Sequence, residues 1–274
     1  MTAESDISGA PSKTGLGRGF PAGRAALVVY LMAGYPDAAT ALASLHAVAD
    51  AGADVIELGV PYGDPVADGP VIAGAAKVAR EAGFGLAETI SLAATFNAER
   101  TSRGLAAPPI ALMTYLNPLM RMGLPRAASV MREAGVAGVI VPDMPPEAAA
   151  PWLAAAGDDL DTVFLVAPTS TPERLATVGA ASRGFLYTVS TTGVTGERSA
   201  IAAGLEELTS RVRAATTLPV AVGFGISAPA QAAEVARFAD GVVVGSAVVR
   251  RQGDPAGAGA FVRELAAAVR AARD

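Results

Sequence analysis

The chain has 274 residues, of which 51% are hydrophobic and 17% charged, with a net charge of −5. Its basic residues are scattered singly, which argues against a nucleic-acid footprint, and no run of 18 apolar residues is available to span a bilayer. Cysteine is absent and histidine occurs once, which removes disulfide frameworks and thiolate nucleophiles and leaves too few imidazoles for an ordinary transition-metal centre.

Residues 1–22 are rich in Gly, Ser, Pro and Thr and poor in large apolar groups. Most of this tail is expected to be disordered, with one domain over residues 23–274. From residue 25 short β-branched runs alternate with Ala-rich stretches of helical period, and turn residues mark each change. The pattern predicts strands at 26–31, 54–58, 110–114, 138–141, 162–166, 184–189, 220–223 and 242–244. Each is followed by a helix, beginning near Ala38, Val71, Pro125, Pro146, Pro172, Ile201, Ala228 and Ser246, the last a weak pattern before a stronger one from Pro255. Eight such units with continuously apolar strands predict an α/β fold, a single (β/α)8 TIM barrel, with a doubly wound open sheet as the alternative. Two segments interrupt the repeat. Residues 60–80 make a long loop entering a helix, followed by an inserted helical pattern over 86–100, and residues 190–200, STTGVTGERSA, make a Gly/Thr-rich loop six. Loops of this length in a compact domain commonly carry function.

A barrel would gather the chemically active residues at one end, because such groups sit at the C-terminal ends of the strands and in the loops beyond. The segment DVIELGVPYGDPVADGP, residues 54–70, brings three carboxylates there: Glu57, Asp64 and Asp68. Glu57 lies within an apolar run, where a lone carboxylate is costly unless it takes up a proton or finds a partner; it is either a paired structural residue or a proton-transfer group. Tyr115 and Asn117, in TYLNP, follow strand three and are either site residues or turn and packing groups, and Tyr187 lies near the end of strand six. Asp143, in VPDMPPE, reads more readily as a cap or turn residue. His46 falls in an amphipathic helix pattern and is read as a surface or packing residue, while Lys13 is in the tail and Lys77 mid-helix. Neither lysine suits a Schiff base, so proton transfer falls to carboxylates and tyrosines.

Three glycine turns, over 193–196, 223–225 and 245–246, follow strands six, seven and eight. They are either ordinary barrel turns or a phosphate cradle. Their common side favours the cradle, which in this fold needs no lysine or arginine. Tyr30, Ile72, Met113 and Phe224 are apolar groups near the same mouth and are either core or the wall of a flat pocket. The ligand implied has an anionic end and an apolar end.

The text ELGVPYGDPVADGP from Glu57 strongly resembles the signature of the tryptophan synthase α-subunit family. The resemblance runs on through AGYPD, LMTYLNP, VPDMP, STTGVTG, VGFGIS and GSAVV in family order, covering about residues 25–249. It implies a (β/α)8 lyase that cleaves indole-3-glycerol phosphate to indole and glyceraldehyde 3-phosphate in tryptophan biosynthesis. Glu57 and Asp68 match the catalytic pair, Glu57 giving a proton to indole C3 and Asp68 accepting the indole N–H. Tyr30, Ile72, Met113, Tyr115 and Tyr187 then become substrate-binding positions. Thr195 matches a threonine of the closing loop, and Gly196, Gly225, Gly245 and Ser246 match phosphate-binding positions. The resemblance further implies a cytoplasmic protein with no cofactor or metal of its own. Its partner would be the pyridoxal-phosphate-dependent β subunit, in an α2β2 complex, with Asp64 at the interface. The chain departs from the family pattern at Thr191, where an arginine is frequent, and at Tyr35, where an aspartate is frequent; the usual N-terminal capping helix is not evident in residues 1–22.

Overall fold

The computed structural model describes residues 15–189, 198–223 and 225–273, with the side chains of 198–203 outside that description. Among the described residues nine parallel strands are present: β1 (Ala26–Met32), β2 (Val55–Gly59), β3 (Ile110–Met113), β4 (Gly138–Ile140), β5 (Asp161–Val163), β6 (Leu165–Val166), β7 (Leu186–Val189), β8 (Val220–Gly223) and β9 (Gly241–Val244). They are ordered β5-β4-β3-β2-β1-β9-β8-β7-β6. The two ends of that row, β5 and β6, are halves of a single stave interrupted at Phe164, whose N–H bonds the Ser182 hydroxyl at 3.4 Å. The sheet therefore closes through the chain itself, and the eight-stave barrel prevails over the open sheet.

Alternation explains why the strands read as continuous apolar runs. On β1, Ala26, Val28, Tyr30 and Met32 belong to the cluster inside the barrel, while Leu27, Val29 and Leu31 belong to the larger cluster beneath the helices. Both faces are covered, so both must be apolar. The same period turns Glu57 inward on β2, in register with Tyr30 on β1 and Ala111 on β3.

The helices are α1 (Ala38–Asp50), α2 (Pro70–Glu81), α3 (Leu86–Ser102), α4 (Leu116–Met122), α5 (Leu124–Glu133), α6 (Ala150–Ala156), α7 (Pro172–Ala181), α8 (Arg198–Arg213), α9 (Pro229–Ala236), α10 (Ser246–Val249) and α11 (Pro255–Arg270). Proline in the first turn of α2, α5, α6, α7, α9 and α11 uses a position where the missing N–H has no intrahelical partner anyway. Asp37 caps α1 by accepting the Thr40 N–H at 2.9 Å. The short α4 has no counterpart in the sequence reading. It forms because Asp143 accepts the N–H of its first residue, Leu116, at 2.9 Å, and it ends at Gly123 with φ of 89°. Asp143 is thus a turn residue that caps α4, 27 residues earlier in the chain, rather than a helix of its own segment.

His46 on α1 lies against Phe96 of α3, with Nε2 2.8 Å from Glu99, which is the packing role read for it. No helix among the described residues is long and apolar enough to cross a membrane.

The tail boundary needs correction. Residues 15–22 are part of the barrel rather than of a disordered segment: Gly15–Gly19 form a 3-10 turn, and Leu16 and Phe20 are buried in the inner cluster. The Phe20 ring packs at a tilt 5.1 Å from that of Phe185, and the Leu16 N–H bonds Asp161 at 2.7 Å, so this short piece closes the barrel floor. With only two large apolar side chains in a Gly-rich stretch, it lacks the periodicity that would announce a helix. Residues 1–14 lie outside the described residues.

Candidate active site

At the opposite end, beyond the C-terminal ends of the strands, lies a cavity of about 610 Å³. Nine of the residues singled out from the sequence line it: Tyr30, Glu57, Asp68, Ile72, Met113, Tyr187, Gly225, Gly245 and Ser246. Ile140, Leu165, Val189, Ile226 and Val243 complete an apolar wall between the two carboxylates and the glycine turns. Thr191, Thr195, Gly196 and Phe224 lie outside the described residues.

Two tyrosines reach into this space over glycines. A Cβ on Gly59 would lie 2.0 Å from the Tyr30 hydroxyl, and one on Gly223 would lie 2.7 Å from the Tyr187 hydroxyl. Only glycine at the ends of β2 and β8 leaves room for the rings to lean across the neighbouring stave toward the mouth.

The carboxylates differ in environment. Glu57 is buried, and its Oε2 has no hydrogen-bond partner among the described residues. Burial foremost, and then the nearby charge of Asp68, push its carboxyl up to about 8. Asp68, half-buried on the loop between β2 and α2, is raised by burial to about 6, while a hydrogen bond from Tyr115 opposes the rise. At neutral pH Glu57 is mainly a neutral acid and Asp68 mainly an anion. Environment separates two like groups into a donor and an acceptor.

Tyr115 is placed differently from the sequence expectation. It is buried and does not line the cavity. Its hydroxyl accepts the Ala67 N–H at 3.1 Å and hydrogen-bonds Asp68, and its ring stacks on Tyr62 at 4.9 Å. Asn117 donates to the Tyr62 hydroxyl at 3.2 Å. Tyr115 and Asn117, holding Tyr62 of the loop between β2 and α2 (loop two), therefore support that loop from behind instead of forming the ligand wall. Asp64 is exposed on the same loop, beside a separate surface pocket lined by Arg80, Arg121 and Arg126.

Arg250 was not singled out from the sequence, yet it lines the cavity as the single basic side chain among the described lining residues. The signal was present in the spacing. Arg250 follows Ser246 by four residues, and its N–H bonds the Ser246 carbonyl at 3.1 Å, so the two share a helical face.

A closed parallel barrel whose mouth holds two carboxylates and an apolar wall opposite glycine turns has the architecture of a TIM-barrel enzyme. The model of the family described as tryptophan synthase alpha chain matches residues 20–272. The tryptophan synthase alpha chain of Mycobacterium tuberculosis is 45% identical over 250 residues, covering 90% of each chain. That of Nocardia farcinica is 45% identical over 251 residues, covering 91% of this chain and 92% of the relative. Among solved structures, tryptophan synthase from M. tuberculosis superposes with a TM-score of 0.84 at 43% identity, covering 94% of this chain and 98% of that one. The chain belongs to the tryptophan synthase alpha chain family.

Proposed function

We propose that this chain performs the α reaction of tryptophan synthase, the retro-aldol cleavage of indole-3-glycerol phosphate to indole and glyceraldehyde 3-phosphate, with Glu57 and Asp68 as its catalytic pair. The observation that carries the reading is the pair itself: two carboxylates facing one cavity, one held protonated near neutrality and the other ionised.

The chemical difficulty is that an aromatic carbon must leave with the bonding electrons. Protonation of indole C3 by the Glu57 carboxyl makes that carbon tetrahedral and places positive charge on the ring nitrogen. Asp68, ionised, accepts the N–H and stabilises that charge. The bond between C3 and the side chain then breaks, its electrons restore the aromatic ring, and the hydroxyl carbon becomes the aldehyde. The hydroxyl proton passes to the Glu57 carboxylate, which returns to its starting state. Positioned proton transfer of this kind contributes about 10²–10⁴-fold. Ile140, Leu165 and Val243 would hold the indole plane, and the backbone N–H groups around Gly225, Gly245 and Ser246 would receive the phosphate.

The chain carries no cofactor for this chemistry. Its partner is the β subunit of tryptophan synthase, which brings pyridoxal phosphate, and exposed Asp64 on loop two is a contact point for it in an α2β2 assembly. A cytoplasmic setting suits such a biosynthetic complex.

The test is cleavage of indole-3-glycerol phosphate by the purified chain, alone and with saturating β subunit. Indole release that rises steeply with the partner is the expected result. Fast release indifferent to the partner would indicate a free-standing lyase, and no release in either condition would refute the reading.

A further inference from the structure

We infer that the Tyr30 hydroxyl is a catalytic group in its own right: it donates a hydrogen bond to the side-chain hydroxyl oxygen of the substrate at the carbon whose bond to indole breaks. This rests on the substrate assigned above and extends it to a residue whose ring alone had been given a role.

The first observation is an orphaned oxygen. Tyr30 is 3% exposed, and its hydroxyl is one of four buried side-chain polar atoms with no hydrogen-bond partner among the described residues. Two of the four, Tyr30 OH and Glu57 Oε2, belong to residues that line the cavity and are directly paired in register across β1 and β2. Leaving such an oxygen unpaired is costly, and a phenylalanine here would fill the same space without it. Both residues line one cavity, and a ligand hydroxyl reaching between them would satisfy both oxygens.

The second observation is the room made for that oxygen. The close approach to Gly59 means that any larger residue at the end of β2 would displace the hydroxyl. The third is its surroundings. Asp68 and Glu57 both bear electrostatically on Tyr30, and burial with these neighbours keeps the phenol protonated, hence a donor and not a base.

The substrate offers few groups for this donor. Its ring N–H is held by Asp68 and its phosphate by the glycine turns, leaving the hydroxyls of the three-carbon chain. As one of these gives its proton to Glu57, negative charge builds on the oxygen, and a fixed donor there is worth more in the transition state than in the ground state. Tyr30 transfers no proton; the electron pair of the broken bond goes to the ring and the hydroxyl proton to Glu57.

Tyr30→Phe removes one oxygen and nothing else. The expected result is a fall in kcat of about 10-fold with KM changed by less than about 2-fold, and a melting temperature equal to or above that of the parent chain. A second arm uses 3-indolylpropyl phosphate, which keeps the ring and the phosphate but lacks the hydroxyls of the chain; it should bind both proteins equally. Unchanged kcat in an active parent background, a melting temperature lowered by several degrees, or weaker binding of the hydroxyl-free analogue would each overturn the inference. An inactive parent chain, with and without the β subunit, would instead overturn the substrate assignment on which it rests.

Discussion

At the floor of the barrel the carboxylate of Asp161 accepts the Leu16 N–H, Arg24 grips both oxygens of Asp54 at 2.6 and 2.8 Å, and Arg273 caps the carbonyls of Ala236 and Ala239. At the mouth, on the same staves, Glu57 and Tyr30 bury oxygens with no partner, and two carboxyl groups are forced above their usual range. Both ends are built from the same alternation of inward and outward residues, so the difference lies in what the polar groups are kept for. The floor uses them to hold staves together, whereas the mouth keeps the Tyr30 and Glu57 oxygens unpaired. Strain of this kind persists only when the rest of the fold over-determines it.

The largest effect belongs to Glu57→Gln, which keeps the shape and removes the proton. Steady-state assays should show kcat lower by about 10²–10⁴-fold with ligand binding retained. The same change should stabilise the protein. In the folded state the Glu57 carboxyl is raised to about 8, so its contribution to stability is complete below the unfolded value of about 4.3 and is lost as pH rises through about 8. Thermal melts at pH 5 and pH 9 should therefore find the variant increasingly more stable than the parent as pH rises. A variant less stable than the parent at pH 9 would break the contrast between the two ends.

Leu16→Ala is the matching change at the floor. Leu16 is fully buried, and truncation should cost about 2–5 kcal/mol in denaturant unfolding. Because the floor plays no part in the chemistry, kcat at 25 °C should stay within about 2-fold of the parent. A large loss of turnover without loss of structure would show that the two ends are coupled.

Within the mouth, pH sharpens the comparison between the two carboxylates. Activity requires Asp68 ionised and Glu57 protonated, so kcat/KM should rise as pH passes about 6 and fall as it passes about 8. Tyr115→Phe should move only one limb. The Tyr115 hydrogen bond holds Asp68 down, so its loss shifts the acidic limb upward and lowers turnover near pH 6 by several-fold while leaving the alkaline limb in place. A uniform loss at every pH would make Tyr115 a merely structural residue.

The legible parts of the sequence were those carried by local period and chemistry. The alternation of apolar runs and Ala-rich stretches located every stave to within about two residues, and the charge at Glu57 in an apolar strand marked the acid. What stayed hidden depended on contacts between distant residues. The break at Phe164 is set by packing against Ser182, and α4 by a cap from Asp143. The floor turn rests on Asp161, 145 residues away in sequence from Leu16. Tyr115 looked like a pocket residue because strand ends point to the mouth, and only loop two folding in front of it makes it a support for Asp68.

The smallest effect concerns Arg250, whose four-residue spacing from Ser246 places it on the anionic side of the cavity, while the acids lie on the other. It is exposed and makes no ion pair with a described residue. Such a charge works at a distance, drawing a phosphate toward the glycine turns, and solvent screens it over about 8 Å at 0.15 M salt. Arg250→Gln should therefore lower kcat/KM by about 2–5-fold at low ionic strength, through KM alone, with the difference vanishing in high salt. Persistence of the defect in high salt would mean direct contact with the phosphate, and Arg250 would then belong with the groups that the mouth holds ready for its ligand.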